Sequence, residues 1–114
     1  MGNHITIRKL DGIWSVRSGG AILGESRNAL ELCEGDMAPV VYFPREDIAT
    51  EMLDRTDKVT HCPHKGDAAH FTIVNRSSRV ENAAWSYEDP VGDMAEIRGQ
   101  LAFYANDAVT VERI

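Results

Sequence analysis

Turn-forming clusters recur along this chain so closely that only short extended runs fit between them: Asp11-Gly12, Gly19-Gly20, Pro63-His64-Lys65-Gly66, Asn75-Arg76-Ser77-Ser78, Glu88-Asp89-Pro90 and Ala105-Asn106-Asp107. Glycine reaches positive φ without steric cost, and asparagine and aspartate tolerate it, so each cluster is a place to reverse the chain. Ile5 and Ile7 alternate with Thr6 and Arg8 before Asp11-Gly12, and Trp14 and Val16 alternate with Ser15 and Arg17 after it. That pattern predicts a hairpin closed by a tight primed turn, and Gly19-Gly20 predicts a second one. Further extended runs are expected at residues 21–26, 58–62, 68–74, 79–87, 100–104 and 108–112, and at 29–33 either an extended run or a helical turn. The run Pro39-Val40-Val41-Tyr42-Phe43 is β-branched and aromatic, and Pro44, lacking an N–H, should end it.

One helix is expected, over residues 45–54. Pro44 suits a helix start, Glu46 and Asp47 fall where the helix dipole favours anions, and Ile48, Ala49, Met52 and Leu53 form an apolar stripe. A helical turn is also indicated at 93–97, where Met94 and Ile97 are three apart. The expected fold is therefore mainly β, α+β by strict count: one domain over residues 1–114, with short antiparallel strands in a barrel or two packed sheets and one short helix.

With 114 residues, 43% of them hydrophobic, the chain can bury an ordinary core without disulfide or metal. The formal charge of −6 argues against nucleic acid, whose nonspecific binding needs a cationic surface. No apolar run approaches the ~20 residues that span a bilayer, and the amino terminus lacks a hydrophobic signal core, so the reading is cytoplasmic with no membrane partner. Met1-Gly2-Asn3-His4-Ile5-Thr6 fits the loose myristoylation pattern, which is short enough to arise by chance. Cys33 and Cys62 read as free thiols. The oligomeric state is open, a homodimer included.

The densest polar patch is Thr60-His61-Cys62-Pro63-His64-Lys65-Gly66, preceded by Tyr42-Phe43-Pro44-Arg45-Glu46-Asp47. Lys65 and His64 lie close to Cys62 and can stabilise its thiolate, while Gly66 permits a bend that turns N–H groups toward a ligand. On this reading Cys62 is a catalytic nucleophile, and more reactive than Cys33 beside Glu31 and Glu34. Arg45 and Lys65 are anchors for a small anionic metabolite, with His64, Gly66, Trp85 and Tyr87 at the ligand site. Trp85 and Tyr87, two apart in a strand, share a face as core or as a ligand wall. The site is expected where the start of the 45–54 helix meets the 60–66 turn, with Lys65 as an exposed charge of little weight in stability. The alternative is a noncatalytic protein-interaction module in which the 60–66 segment is structural and Cys62 is a small buried hydrophobe. His61, Cys62, His64, Cys33 and His70 are all acceptable zinc ligand types, but no second closely spaced pair exists, so neither metal nor cofactor is expected.

The same blocks, continued by Ala84-Trp85-Ser86-Tyr87 with Pro90 and by Ala102-Phe103-Tyr104, resemble the bacterial family called domain of unknown function 427 over nearly the whole chain. The resemblance implies a fold and a site location. His64 departs from the family pattern, which often has tyrosine there. The family also carries a nucleotidyltransferase-like label. Nucleotidyl transfer generally needs carboxylates that hold Mg²⁺ on the phosphates, and this sequence has neither a Gly-Ser turn followed by an Asp-x-Asp pair nor a Walker-type loop. Glu46 and Asp47, the nearest candidates, would point to different faces of a helix.

Overall fold

In the computed structural model, which describes residues 4–76 and 78–114, ten strands form three antiparallel sheets. The start of the myristoylation pattern and Ser77 of the 75–78 cluster lie outside the described residues. The strands are β1 (Ile5–Lys9), β2 (Trp14–Ser18), β3 (Ala21–Ser26), β4 (Leu30–Glu34), β5 (Val40–Tyr42), β6 (Leu53–Cys62), β7 (Gly66–Val74), β8 (Arg79–Ser86), β9 (Ala102–Phe103) and β10 (Val109–Arg113). Their orders are β1-β4-β5, β10-β2-β3 and β6-β7-β8-β9. The fold is mainly β, and the sheets pack without closing into a barrel. The radius of gyration, 13.6 Å, is close to the ~13 Å of a single compact domain of this length.

Two bridges weld the sheets together. Phe43 and Leu101 exchange both backbone hydrogen bonds, 2.8 and 2.9 Å, joining the end of β5 to the approach to β9. Gly24 of β3 meets Ile48, and the Ala49 N–H donates to the Leu23 carbonyl at 2.7 Å. The core correspondingly has two lobes, one around Val16, Leu23, Phe43, Ile73 and Leu101, the other around Leu32, Tyr42, Ala68, Tyr87 and Ile97.

Two local expectations are corrected. Asp11-Gly12 does not close a hairpin: β1 pairs with β4, and β2 pairs with β3 and β10. Ile5 and Ile7 pack on the second lobe while Val16 lies in the first, so the Asp11-Gly12 corner hands the chain from one lobe to the other, with Leu10 buried and hydrogen-bonded to Ala29. Gly19-Gly20 does form the expected turn, with φ +58° and +81° between the paired Ser18 and Ala21.

The helix at 45–54 is replaced by two 3₁₀ turns, Arg45–Asp47 and Thr50–Met52, and β6 begins at Leu53. Tertiary pairing overrides the local signals. Ile48 is extended (φ −111°, ψ 140°) because its backbone bridges to β3 while its side chain enters the core, and Leu53 is already paired with Ile73. The turn at 93–97 appears as a 3₁₀ turn, Ala95–Ile97.

Candidate ligand-binding site

The β6–β7 hairpin sets the position of Lys65. Cys62 pairs with Gly66 at its tip, and the Lys65 N–H donates to the Cys62 carbonyl at 3.1 Å. Gly66 has φ +110°, a conformation that side-chain-bearing residues rarely adopt. The Lys65 carbonyl in turn accepts from the Val91 N–H at 3.0 Å, so the turn is tied to the loop after β8 as well as to its own hairpin. Held this way, Lys65 points into the protein: the residue is 8% exposed, with Nζ 2.7 Å from Glu34 Oε1 and 5.8 Å from the centre of the Tyr87 ring. The expectation of an exposed Lys65 is therefore overturned.

Burial pulls the Lys65 pKa down, but the Glu34 hydrogen bond and the nearby Cys62, Tyr87 and Glu34 charges outweigh it, leaving the group above its ordinary value. At neutral pH Lys65 is an ammonium, able to donate hydrogen bonds and unable to act as an amine nucleophile.

Lys65 and Glu34 line one side of a cavity of about 180 Å³. Four aromatic residues, Tyr42, Trp85, Tyr87 and Tyr104, supply much of the rest, with Leu32, Val40, Met37 and Ala38 as aliphatic wall and Thr60 from β6. Trp85 is the centre of the aromatic set. Its ring lies 4.3 Å from that of Tyr104 at a 41° tilt, and it meets Tyr42 edge-on at 6.4 Å while its Nε1–H donates to the Tyr42 hydroxyl at 3.3 Å. Burial pushes the Tyr42 hydroxyl well up in pKa; it also raises that of Tyr87, against the opposing pull of Lys65. Both are neutral phenols near neutral pH.

Behind Tyr104 lies His70 of β7, fully buried and paired across the strands with Trp85. Its ring stacks on Tyr104 at 6.4 Å and 19°, Nε2 is 3.5 Å from the Tyr104 hydroxyl, and Nδ1 has no hydrogen-bond partner among the described residues. Burial, and secondarily the charge of Lys58, lowers its pKa, so the core holds neutral imidazole.

Of the residues singled out from sequence, Lys65, Trp85 and Tyr87 come together on this cavity. Gly66 shapes the turn beneath it. Cys62 is half-buried and packs against the same lobe as Tyr42 and Tyr87, yet it is not among the residues that line the cavity. His64 is exposed at the hairpin tip. Arg45 belongs to a different network: it donates to the Gly99 carbonyl (2.8 Å), Ser86 Oγ (3.0 Å) and Glu88 Oε2 (3.0 Å). Arg55 shares the same Glu88 oxygen at 2.7 Å, and both guanidinium groups lie over the Phe71 ring. Hydrogen bonds from Arg55 and Arg45 hold the Glu88 carboxyl below its ordinary pKa against the opposing effect of burial. Arg45 thus ties its own block to the 84–87 block and to the Gly99 carbonyl, and it and Lys65 answer different carboxylates. Nor is there a helix amino terminus to add to them, since residues 45–47 make a single 3₁₀ turn.

Among the zinc ligand types, His61 pairs with Asp67 at 2.7 Å on an exposed strand pair, far from the buried setting of His70. Among the described residues no three of His, Cys, Asp and Glu come together to hold a metal ion. No helix among them is long and apolar enough to cross a membrane.

Sequence reasoning missed Glu34, Tyr42 and Tyr104. Glu34 did leave a signal: Leu30, Leu32 and Glu34 share one face of a strand by their two-residue spacing, so an acid continues an apolar face. Tyr42 and Tyr104 sat inside the quoted blocks as strand residues.

Comparison with known families finds one that spans all of these blocks: the family described as domain of unknown function 427 matches residues 6–113. The chain belongs to that family. No curated protein matches it at a meaningful level. Within this family member, the Tyr42 and Arg45 block, the 60–66 turn, the Trp85 and Tyr87 block and Tyr104 all meet at or just behind the cavity, whose lining lies wholly within the matched residues.

Proposed function

We propose that this protein binds a small metabolite with a flat ring in the 180 Å³ cavity, the ring against Trp85 and Tyr104 and its polar edge against Lys65 and Glu34. The observation that carries this reading is the ion pair facing an aromatic cavity. Buried ion pairs contribute little net stability compared with apolar residues of the same volume, because desolvation offsets their attraction. Side-chain exposures of 10% and 12% put this pair in that class. Recognition of a ligand explains its presence better than stability does.

Size and charge narrow the ligand. A cavity near 150 Å³ accepts a benzene-sized ring, so 180 Å³ suits one ring with a small substituent. The pair is neutral overall, and a ligand with charge alone would leave one partner of a largely buried pair unanswered. The matched edge carries an acceptor for Lys65 beside a donor for Glu34, as an amide, a heteroaromatic lactam or a carboxylate next to an amine does. An anionic group therefore has Lys65 to go to when a donor accompanies it; Arg45 is occupied by Glu88. In this reading Cys62 closes the hairpin that delivers Lys65, and the chemistry is binding. The alternative of an interaction module treats the tied 60–66 turn as purely structural.

A thermal-shift screen over ring amides, lactams and amino-carboxylates separates the two, because any ligand of the native state raises its melting temperature. Members of that panel should raise it in the native protein and fail to in Trp85→Ala. Sulfate, an anion with no donor, should give no shift. A panel without effect, or shifts that persist in both Trp85→Ala and Lys65→Met, would exclude the site.

A further inference from the structure

A second cavity, about 260 Å³, adjoins the first. The two share four lining residues, Trp85 and Tyr104 among them, and the second adds Pro39, Val41, Phe103 and Val111, with the exposed Ala105 also on its wall. No charged side chain lines it among the described residues, whereas the first carries Lys65 and Glu34. Cavities that enclose drug-sized ligands generally measure about 300–1,000 Å³; the first alone takes a single ring, and only the two together reach that range.

We infer that the two cavities form one site divided by Tyr104, and that its ligand is a small amphiphile whose polar ring edge meets Lys65 and Glu34 and whose apolar tail lies past Tyr104 in the second cavity. The inference rests on the binding reading above and adds the tail. Polarity runs one way along the site, from an ion pair through an aromatic middle to an aliphatic end, which is the complement of an amphiphile rather than of a molecule polar at both ends. The divider is lightly held. Tyr104 is 44% exposed, and its hydroxyl contact to His70, at 3.5 Å, is long for a hydrogen bond, so its side chain is restrained mainly by ring contacts, tilted against Trp85 and stacked on His70. Side chains this exposed change rotamer on the nanosecond scale, fast enough to admit a tail.

The test is a titration of the native protein with benzamide and its 4-n-alkyl homologues from methyl to hexyl, followed by calorimetry. Benzamide carries the acceptor and donor side by side. Affinity should rise about three- to fourfold per methylene as each leaves water, then level off once the second cavity is filled. Ala105→Asp, at an exposed position on the second cavity, should flatten that rise. In parallel, nuclear Overhauser contacts should join the tail methyl to Val111. A series that binds with no dependence on chain length overturns this inference and leaves the binding reading standing, as does a rise whose tail contacts lie away from Val111. Failure of every member, benzamide included, overturns both.

Discussion

Removing the Lys65 ammonium while keeping its bulk, as in Lys65→Met, leaves the Glu34 carboxylate in a site where the side chain is 12% exposed. Breaking a buried pair from one side costs about 3–5 kcal/mol when the remaining charge is fully enclosed. Here both partners line an open cavity, so water reaches the carboxylate and the cost falls below that range, to about 2–3 kcal/mol. With about 2.1 cal/mol/K of unfolding entropy per residue, a 114-residue chain loses close to 4 °C per kcal/mol, and the melting temperature should fall by roughly 8–12 °C. Glu34→Leu combined with Lys65→Met removes both charges and should recover most of that loss, which makes the double-mutant cycle strongly non-additive. Urea denaturation of the four proteins gives the free energies, and thermal melting the temperatures. A Lys65→Met change within about 0.5 kcal/mol of the native protein, the size expected of an exposed pair, would refute the claim that this pair is buried and coupled. So would a double variant no more stable than the sum of the singles.

Three further outcomes are expected. His70 is neutral in the core with a lowered pKa, so as pH falls below about 6.5 the unfolded chain takes up a proton that the native state resists, and stability should drop until the folded pKa is passed; melting curves of His70→Gln against pH should lack that part of the slope. Gly24→Ala places a Cβ against the Asp47 carbonyl oxygen and 2.6 Å from Ile48 Cδ1, and should cost about 2 kcal/mol by denaturant titration; no loss would mean that the 45–52 segment is not docked on β3. Burial and the Glu31 charge push the Cys33 thiol up, so iodoacetamide at neutral pH should modify Cys62 faster in single-cysteine variants, and the opposite order would show that the surroundings of Cys33 are misjudged.

What was legible in the sequence follows the range of the interactions involved. Turn chemistry is local, so Gly19-Gly20 could be read directly: two positive φ values are needed in sequence, and two glycines supply them. Asp11-Gly12 has the same chemistry, yet what the chain does after the corner depends on which sheet has a free edge, and that information sits in β4 and β10. Residues 45–54 carried helix signals that were real but weak, each worth a few tenths of a kcal/mol to about 1 kcal/mol, and the burial of Ile48 against Leu23 and Phe43 outweighs them. Strand periodicity put Trp85 and Tyr87 on one face, as core or as ligand wall, and both line the cavity. Lys65 was placed correctly in the chain and wrongly in its environment, because its burial depends on Glu34, 31 residues earlier, and a lysine in a Pro-His-Lys-Gly turn has no local reason to point inward. Arg45 was read as an anchor for an anionic ligand; its partners Ser86, Glu88 and Gly99 lie at least 41 residues away and make it a tie within the protein instead.

The binding reading meets its most direct test in crystals of the native protein soaked with a library of single-ring fragments. Density is expected in the cavity bounded by Lys65, Glu34, Trp85 and Tyr104, with fragment acceptors within about 3.2 Å of Lys65 Nζ and rings against the Trp85 indole. Fragments that gather elsewhere on the molecule, with only ordered water beside Lys65 and Glu34, would contradict it.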